Sequence, residues 1–228
     1  MSDYPDCLGV FPLPQVVLFP HVHLPLHVFE PRYRALLEDA MKHDRRFVVA
    51  ALKPGWESDY HGCPDVHPYA CAGRVLDHME LEDGCSDIIF RGERVVRIDE
   101  FVDKAPFRRA MISPHSPYDA LDNGVSGHER VEELRSLLDR ACPGARERLE
   151  SCLVNDVEAD GGLELLHTLA MNLPVEQEQK LQWLACEGAL ARWQAIRGTL
   201  QRLAASRELR RRVLEQYDDV RPEKPGRN

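Results

Sequence analysis

The sequence predicts an α+β fold in which a small β-barrel or sandwich with one inserted helix comes first and a helical bundle follows. Three observations predict it. Up to about residue 115, short apolar runs alternate with Pro and Gly. Beyond that point apolar residues recur with the helical period of about 3.6. Between the two regimes Ser113 to Gly127, with Pro114, Pro117 and Gly124, reads as a joint. The expected organisation is a barrel part over residues 1–115 and a helical part over 116–217. A polar, Pro-containing tail over 218–228 is expected to be disordered.

Val16 to Phe19 and Leu24 to Phe29 read as strands broken by Pro20 and Pro25. Proline has no donor for a ladder, so these strands are expected at edges or bulges. Pro31 suits the first position of a helix, where its missing N–H would be unpaired anyway. Tyr33, Leu36, Leu37, Ala40 and Met41 then form one apolar stripe, with Arg32, Arg34, Glu38, Asp39 and Lys42 outside it. Phe47 to Leu52 fits a buried strand. Arg74 to Leu81 and Asp87 to Asp99 flank Asp83-Gly84, a turn signal, and read as a hairpin with a bulge or bend at Gly92. Arg108 to Ser113 reads as the last strand.

In the second part, Ser126-Gly127-His128-Glu129 matches a capping box. Val131, Leu134, Leu138 and Ala141 continue that helix, and Pro143-Gly144 stops it. Leu163, Leu166, Ala170 and Leu173 form another stripe. Pro174 ends it and opens a helix carrying Leu181, Leu184 and Ala185. After Gly188, a last helix carries Ala189, Trp193, Ile196, Leu200 and Leu203, with Leu209, Val213 and Leu214 extending it to about Tyr217.

The formal net charge of -9 repels phosphate backbones and argues against general nucleic-acid binding. The basic run Arg207, Arg210, Arg211 and Arg212 reads as a solvated helix face. Seven cysteines at irregular spacing, without C-x-x-C, fit reduced thiols rather than a disulfide framework. With no signal-peptide pattern and no apolar run near the roughly 18 residues of a membrane span, a soluble, cytoplasmic protein is expected.

Motifs for chemistry are scarce. The sequence contains no P-loop, no dinucleotide fingerprint, no G-x-S-x-G elbow and no H-E-x-x-H. His61, Cys63, His67 and Cys71 are zinc-type ligands, but their spacing matches no common module, and an ordinary polar loop is the simpler account. His21, His23 and His27 are read the same way, because Pro25 disturbs any shared geometry. No cofactor and no metal is expected. Trp56, Tyr60 and Tyr69 are large aromatics in an aperiodic stretch and are the candidate partner-binding residues. The competing reading folds them back onto the barrel.

Phe11-Pro-Leu-Pro-Gln-Val-Val-Leu-Phe-Pro20, followed by Leu24-Pro-Leu-His-Val-Phe-Glu-Pro-Arg-Tyr-Arg34, resembles the opening of the Lon protease N-terminal domain. Gly73-Arg-Val, then Phe90-Arg-Gly-Glu-Arg-Val-Val-Arg-Ile98, is similar to that domain's central strands, and Leu173-Pro174 with Lys180-Leu-Gln-Trp-Leu184 to its helical part. The resemblance runs from about residue 8 to 205. His21 departs from it, standing where the family often has a small residue such as glycine. The resemblance implies a PUA-like β-barrel followed by a helical bundle. It also implies a stand-alone, non-catalytic module that binds unfolded polypeptide or a protein partner, with a Lon-like protease as a candidate partner. An RNA-binding PUA-like protein and an uncharacterised enzyme are the alternatives. Phe29, Glu30, Pro31, Arg32 and Tyr33 carry the signature. They are expected to be structural, with Phe29 packed at the helix entrance, Glu30 paired with Arg32 and Tyr33 in the buried stripe.

Overall fold

The computed structural model describes residues 4–59, 62–103, 106–115, 126–150 and 162–219. Six strands are arranged in the order β2-β5-β4-β3-β1-β6, where β1 is Cys7–Leu13, β2 His23–Val28, β3 Arg46–Ala51, β4 Tyr69–Glu80, β5 Ser86–Asp103 and β6 Arg109–Pro114. β6 also pairs with β5, so five strands close into a ring and β2 is left outside it. The closure depends on the length of β5. Its second half joins β6 (Ile98 opposite Ile112), while its first half carries β2 (Leu24 opposite Phe90). β2, β4 and β5 thereby extend beyond the barrel as a three-stranded sheet.

Gly92 marks the bend where the two halves meet. Gly73 pairs with Gly92 and Ala72 with Arg94, leaving Glu93 as the extra residue of a bulge. A Cβ on Gly92 would stand 2.3 Å from the Phe19 carbonyl oxygen, so backbone approach excludes any larger residue. The edge position expected from Pro25 is found in β2, which has β5 as its only neighbour.

The Val16 to Phe19 run is not a strand. It lies between Gln15 and His21, both with left-handed backbone (φ 57° and 67°), which turn the chain at either end. Val17, Leu18 and Phe19 are buried and fill space instead of pairing. The strand of this region is β1, which pairs in parallel with β3, and α1 (Pro31–Lys42) supplies part of the crossover.

Two apolar clusters divide the barrel's faces. The ring interior holds Leu8, Val10, Val48, Ala50, Ala70, Ala72, Val96, Ala110 and Ile112, mostly small side chains suited to a narrow lumen. The outer face of the sheet joins α1 and the helices in one larger cluster running from Phe11, Phe19 and Phe47 to Leu134, Leu169 and Trp193.

The helices are α2 (Gly127–Ala141), α3 (Arg146–Glu150), α4 (Leu163–Asn172), α5 (Gln177–Leu184) and α6 (Gly188–Asp219). Ser126 and Glu129 form the capping box of α2. The single stripe expected for α4 is too narrow, because every residue from Leu163 to Ala170 is buried, Glu164, His167 and Thr168 included. Over that stretch a helix packed against α3, α5 and α6 has no solvent face. The segment after Pro174 becomes helical only at Gln177, and α6 runs to Asp219, past the expected start of the tail. Most of the joint after Ser113 and the rest of the tail lie outside the described residues.

Candidate functional site

The three-stranded extension exposes one face. Side chains of directly paired strand residues share a face, so the register defines rows across it. The outermost row is His27, Asp87 and Met79, the next is Pro25, Ile89 and Asp77, and the third is His23, Arg91 and Arg74. Met79 is 56% exposed, and Leu76, the extra residue of a second bulge, is 45% exposed. Phe29 follows the last residue of β2, is 58% exposed, and stacks on His27 with ring centroids 5.9 Å apart. His27 Nδ1 lies 2.7 Å from Asp87 Oδ1 across the first row. The sheet end therefore offers solvent several large apolar side chains beside a polar pair.

The opposite face is covered by α1. Between α1 and the β4–β5 hairpin lies a hollow of about 550 Å³, with Leu37 and Met41 among its apolar lining and Arg34, Glu38 and Lys42 among its polar lining.

Where the third row meets the helices, the environment becomes buried and polar. His23 is pushed below its ordinary pKa by burial and then by Arg91, with Glu164 opposing. Deeper in, His167 lies between the rings of Phe19 and His21, at 6.0 and 5.7 Å. Burial, then the Arg192 charge, then His21 hold His167 well below its ordinary pKa, so it is neutral. Arg192 Nε donates to the Trp183 carbonyl (3.0 Å), tying α6 to α5 as well as to α4.

Of the aromatics singled out from sequence, Trp56 and Tyr69 have intramolecular partners. Trp56 opens a short 3-10 turn, Trp56–Asp59, and is half-buried against the ring-interior cluster. Tyr69 opens β4 with its ring 4.3 Å from that of His115, whose Nε2 lies 2.7 Å from the Ala185 carbonyl oxygen of the helical part. Tyr60 lies outside the described residues, as does His61. Cys63 is exposed whereas Cys71 is fully buried in the core. Among the described residues, no group of three or more His, Cys, Asp or Glu side chains is placed to hold a metal ion.

In the signature segment, Arg32 and Glu30 form the expected pair at 3.0 Å. Tyr33 is buried and stacks on Phe11 at 4.3 Å. Pro31 occupies the first turn of α1. Phe29 does not pack at the helix entrance. Val28 is the last inward residue of β2, and strand alternation turns the next side chain outward. Met79 and Leu76 escaped sequence reading because a strand's exposed face is known only once its register is known.

A small closed barrel with one inserted helix and a bundle packed on its outer face is a fold shared with Lon N-terminal domains. Solved structures show the same fold. The Lon N-terminal domain protein from Xanthomonas campestris superposes with a TM-score of 0.56 at 23% identity, covering 82% of this chain and 95% of that one. The N-terminal domain of Mycobacterium avium complex Lon protease gives 0.55 at 15% identity, covering 87% and 98%. Residues 8–202 match the model of the ATP-dependent protease La (LON) substrate-binding domain, and the chain belongs to that family. The Lon protease of Cytophaga hutchinsonii is 25% identical over 95% of this chain and 27% of its own length. That of Azospirillum brasilense is 26% identical over 93% and 26%. The chain thus spans about a quarter of the length of these relatives. No helix among the described residues is long and apolar enough to cross a membrane.

Proposed function

We propose that this chain is a non-catalytic, cytoplasmic module that binds extended segments of unfolded protein substrates, in the role of an adaptor in proteolysis. The observation that carries the reading is the sheet extension, where Phe29, Leu76 and Met79 are 58%, 45% and 56% exposed in a member of a substrate-binding family. Large apolar side chains gathered at one end of a sheet are a cost in water that a partner's apolar residues offset. The His27–Asp87 pair supplies polar groups for the partner's backbone. Trp56 is a secondary contact in this reading, since it is half-buried against the ring-interior cluster.

Titration of a fluorescently labelled, permanently unfolded polypeptide is expected to give a saturable rise in anisotropy, while a labelled RNA of similar size gives none. Binding of the RNA alone would overturn the reading in favour of nucleic-acid recognition.

A further inference from the structure

We propose that the bulge at Gly92 forms a receptor for a carboxylate of the bound polypeptide, an acidic side chain or the chain's C-terminus. The proposal rests on the polypeptide-binding reading above and adds to it a site for charge.

A surface depression of about 260 Å³ opens at the bulge, and Arg46, Arg91, Arg94, His21 and Tyr4 line it. Among the described residues, Glu93 is the only acidic one in its lining. That carboxylate is already engaged, by Arg46 at 2.8 Å and by Arg74 at 3.3 Å. Asp44 takes the other side of Arg46 at 2.8 Å. Arg91 has no carboxylate within ion-pair distance among the described residues, and its buried Nε has no hydrogen-bond partner. Arg94 is held by stacking, its guanidinium carbon 4.0 Å from the centroid of the Tyr4 ring.

Among the described residues, three guanidiniums and one carboxylate thus line the depression in a protein whose overall charge is -9. A local excess of positive charge on an acidic protein, concentrated in a concave site, calls for an anion. The planar fork of arginine matches a carboxylate's two oxygens. A depression of this size accommodates a carboxylate on a short stem. It is also prearranged. His21 N–H donates to the Gly92 carbonyl (2.8 Å) and Gly92 N–H to the Val22 carbonyl (3.0 Å), which fixes the bulge against the neighbouring loop.

Its location fits the same partner. Arg91 lies on the face of β5 that carries Ile89 and Asp87, four residues from the row holding Met79. That is about 13 Å along a strand. An extended segment seated on the apolar end therefore brings an acidic residue or its terminus to Arg91 within about four residues.

Two measurements test the site. The first compares an unfolded peptide rich in Asp and Glu with its Asn and Gln counterpart, each with a free or an amidated C-terminus, against the intact chain. The acidic or free-ended form is expected to bind roughly tenfold tighter. Arg91→Met and Arg94→Met are expected to abolish that preference and leave the neutral peptide's affinity unchanged, whereas Arg97→Met, outside the depression, retains it. The two ends of the comparison separate side-chain from terminal recognition. Equal binding of all peptides by the wild type, or a preference that survives in Arg91→Met, overturns the proposal.

The second measurement follows the amide resonances of Gly92, Glu93 and Arg94 during titration with sodium acetate at constant ionic strength. Saturable shifts there, lost in Arg91→Met, support the receptor even if no peptide binds, in which case the polypeptide reading alone falls. Absence of shifts, or shifts with phosphate and none with acetate, overturns the carboxylate receptor whatever the peptides do. Thermal unfolding of each variant separates lost recognition from lost folding.

Discussion

Arg192 Nη1 lies 2.9 Å from His167 Nε2, and both side chains are wholly buried where the helices meet the barrel. An arginine only donates, so Nε2 accepts and the imidazole proton resides on Nδ1. Burial and the Arg192 charge oppose a second proton on Nε2 and keep the ring neutral, outweighing the opposite influence of Pro20. By stacking on Phe19 and His21, one histidine thus joins the loop after β1 to α4, and through Arg192 to α5 and α6.

The pH dependence of stability follows. Unfolded, His167 takes up a proton near its ordinary pKa of about 6.5. Folded, it resists protonation, so below that pH the unfolded state binds more protons. The contribution is complete above about pH 6.5 and is lost as pH falls, by at most about 1.4 kcal/mol per pH unit. Denaturant unfolding at pH 7.5, 6 and 5 is expected to show this slope in the wild type and a shallower one in His167→Gln.

Truncating Arg192 removes two donors at once. Arg192→Ala deprives His167 Nε2 and the Trp183 carbonyl of their partner and opens a cavity among buried helices. The expected loss is roughly 2–5 kcal/mol by chemical denaturation. A loss under about 1 kcal/mol would mean the polar link is dispensable.

His21 occupies a left-handed conformation (φ 67°), which glycine adopts without steric cost. Alanine and glycine both remove the contact with the His167 ring, and only glycine relieves the backbone. His21→Gly is expected to be more stable than His21→Ala by about 1 kcal/mol, measured by thermal or denaturant unfolding. The reverse order would show that the loop relaxes around the residue.

Gly92→Ala is expected to destabilise by roughly 2–4 kcal/mol, because the added Cβ meets the Phe19 carbonyl oxygen at 2.3 Å and Cys71 Sγ at 2.8 Å. Both neighbours belong to the packed core. A denaturation midpoint equal to wild type would contradict the close approach.

How much was legible in the sequence depends on the range of the signal. The start of α1 at Pro31, the capping box at Ser126 and the bulge at Gly92 are local and were readable from residue type. β1 was not, because its alternation is interrupted by Gly9 and Pro12 and its pairing with β3 lies beyond α1 in the chain. The burial of α4 from Leu163 to Ala170 was hidden for a related reason. Glu164, His167 and Thr168 lie outside the expected stripe, and only the surrounding helices show that they are enclosed. The exposed face bearing Phe29, Leu76 and Met79 depends on register and on a bulge between Val75 and Asp77, neither of which is visible in one strand alone.

The central claim is that polypeptide binds the sheet extension. A photoreactive phenylalanine derivative placed at position 79 or, as a comparison, at position 209 probes it directly. Met79 and Leu209 are both apolar and similarly exposed, at 56% and 64%, and Leu209 lies on α6, away from the sheet. Illumination with a labelled unfolded polypeptide is expected to cross-link at position 79 and not at 209, and to lose the cross-link with excess unlabelled polypeptide. Competable cross-linking at 209 with none at 79 would contradict the account.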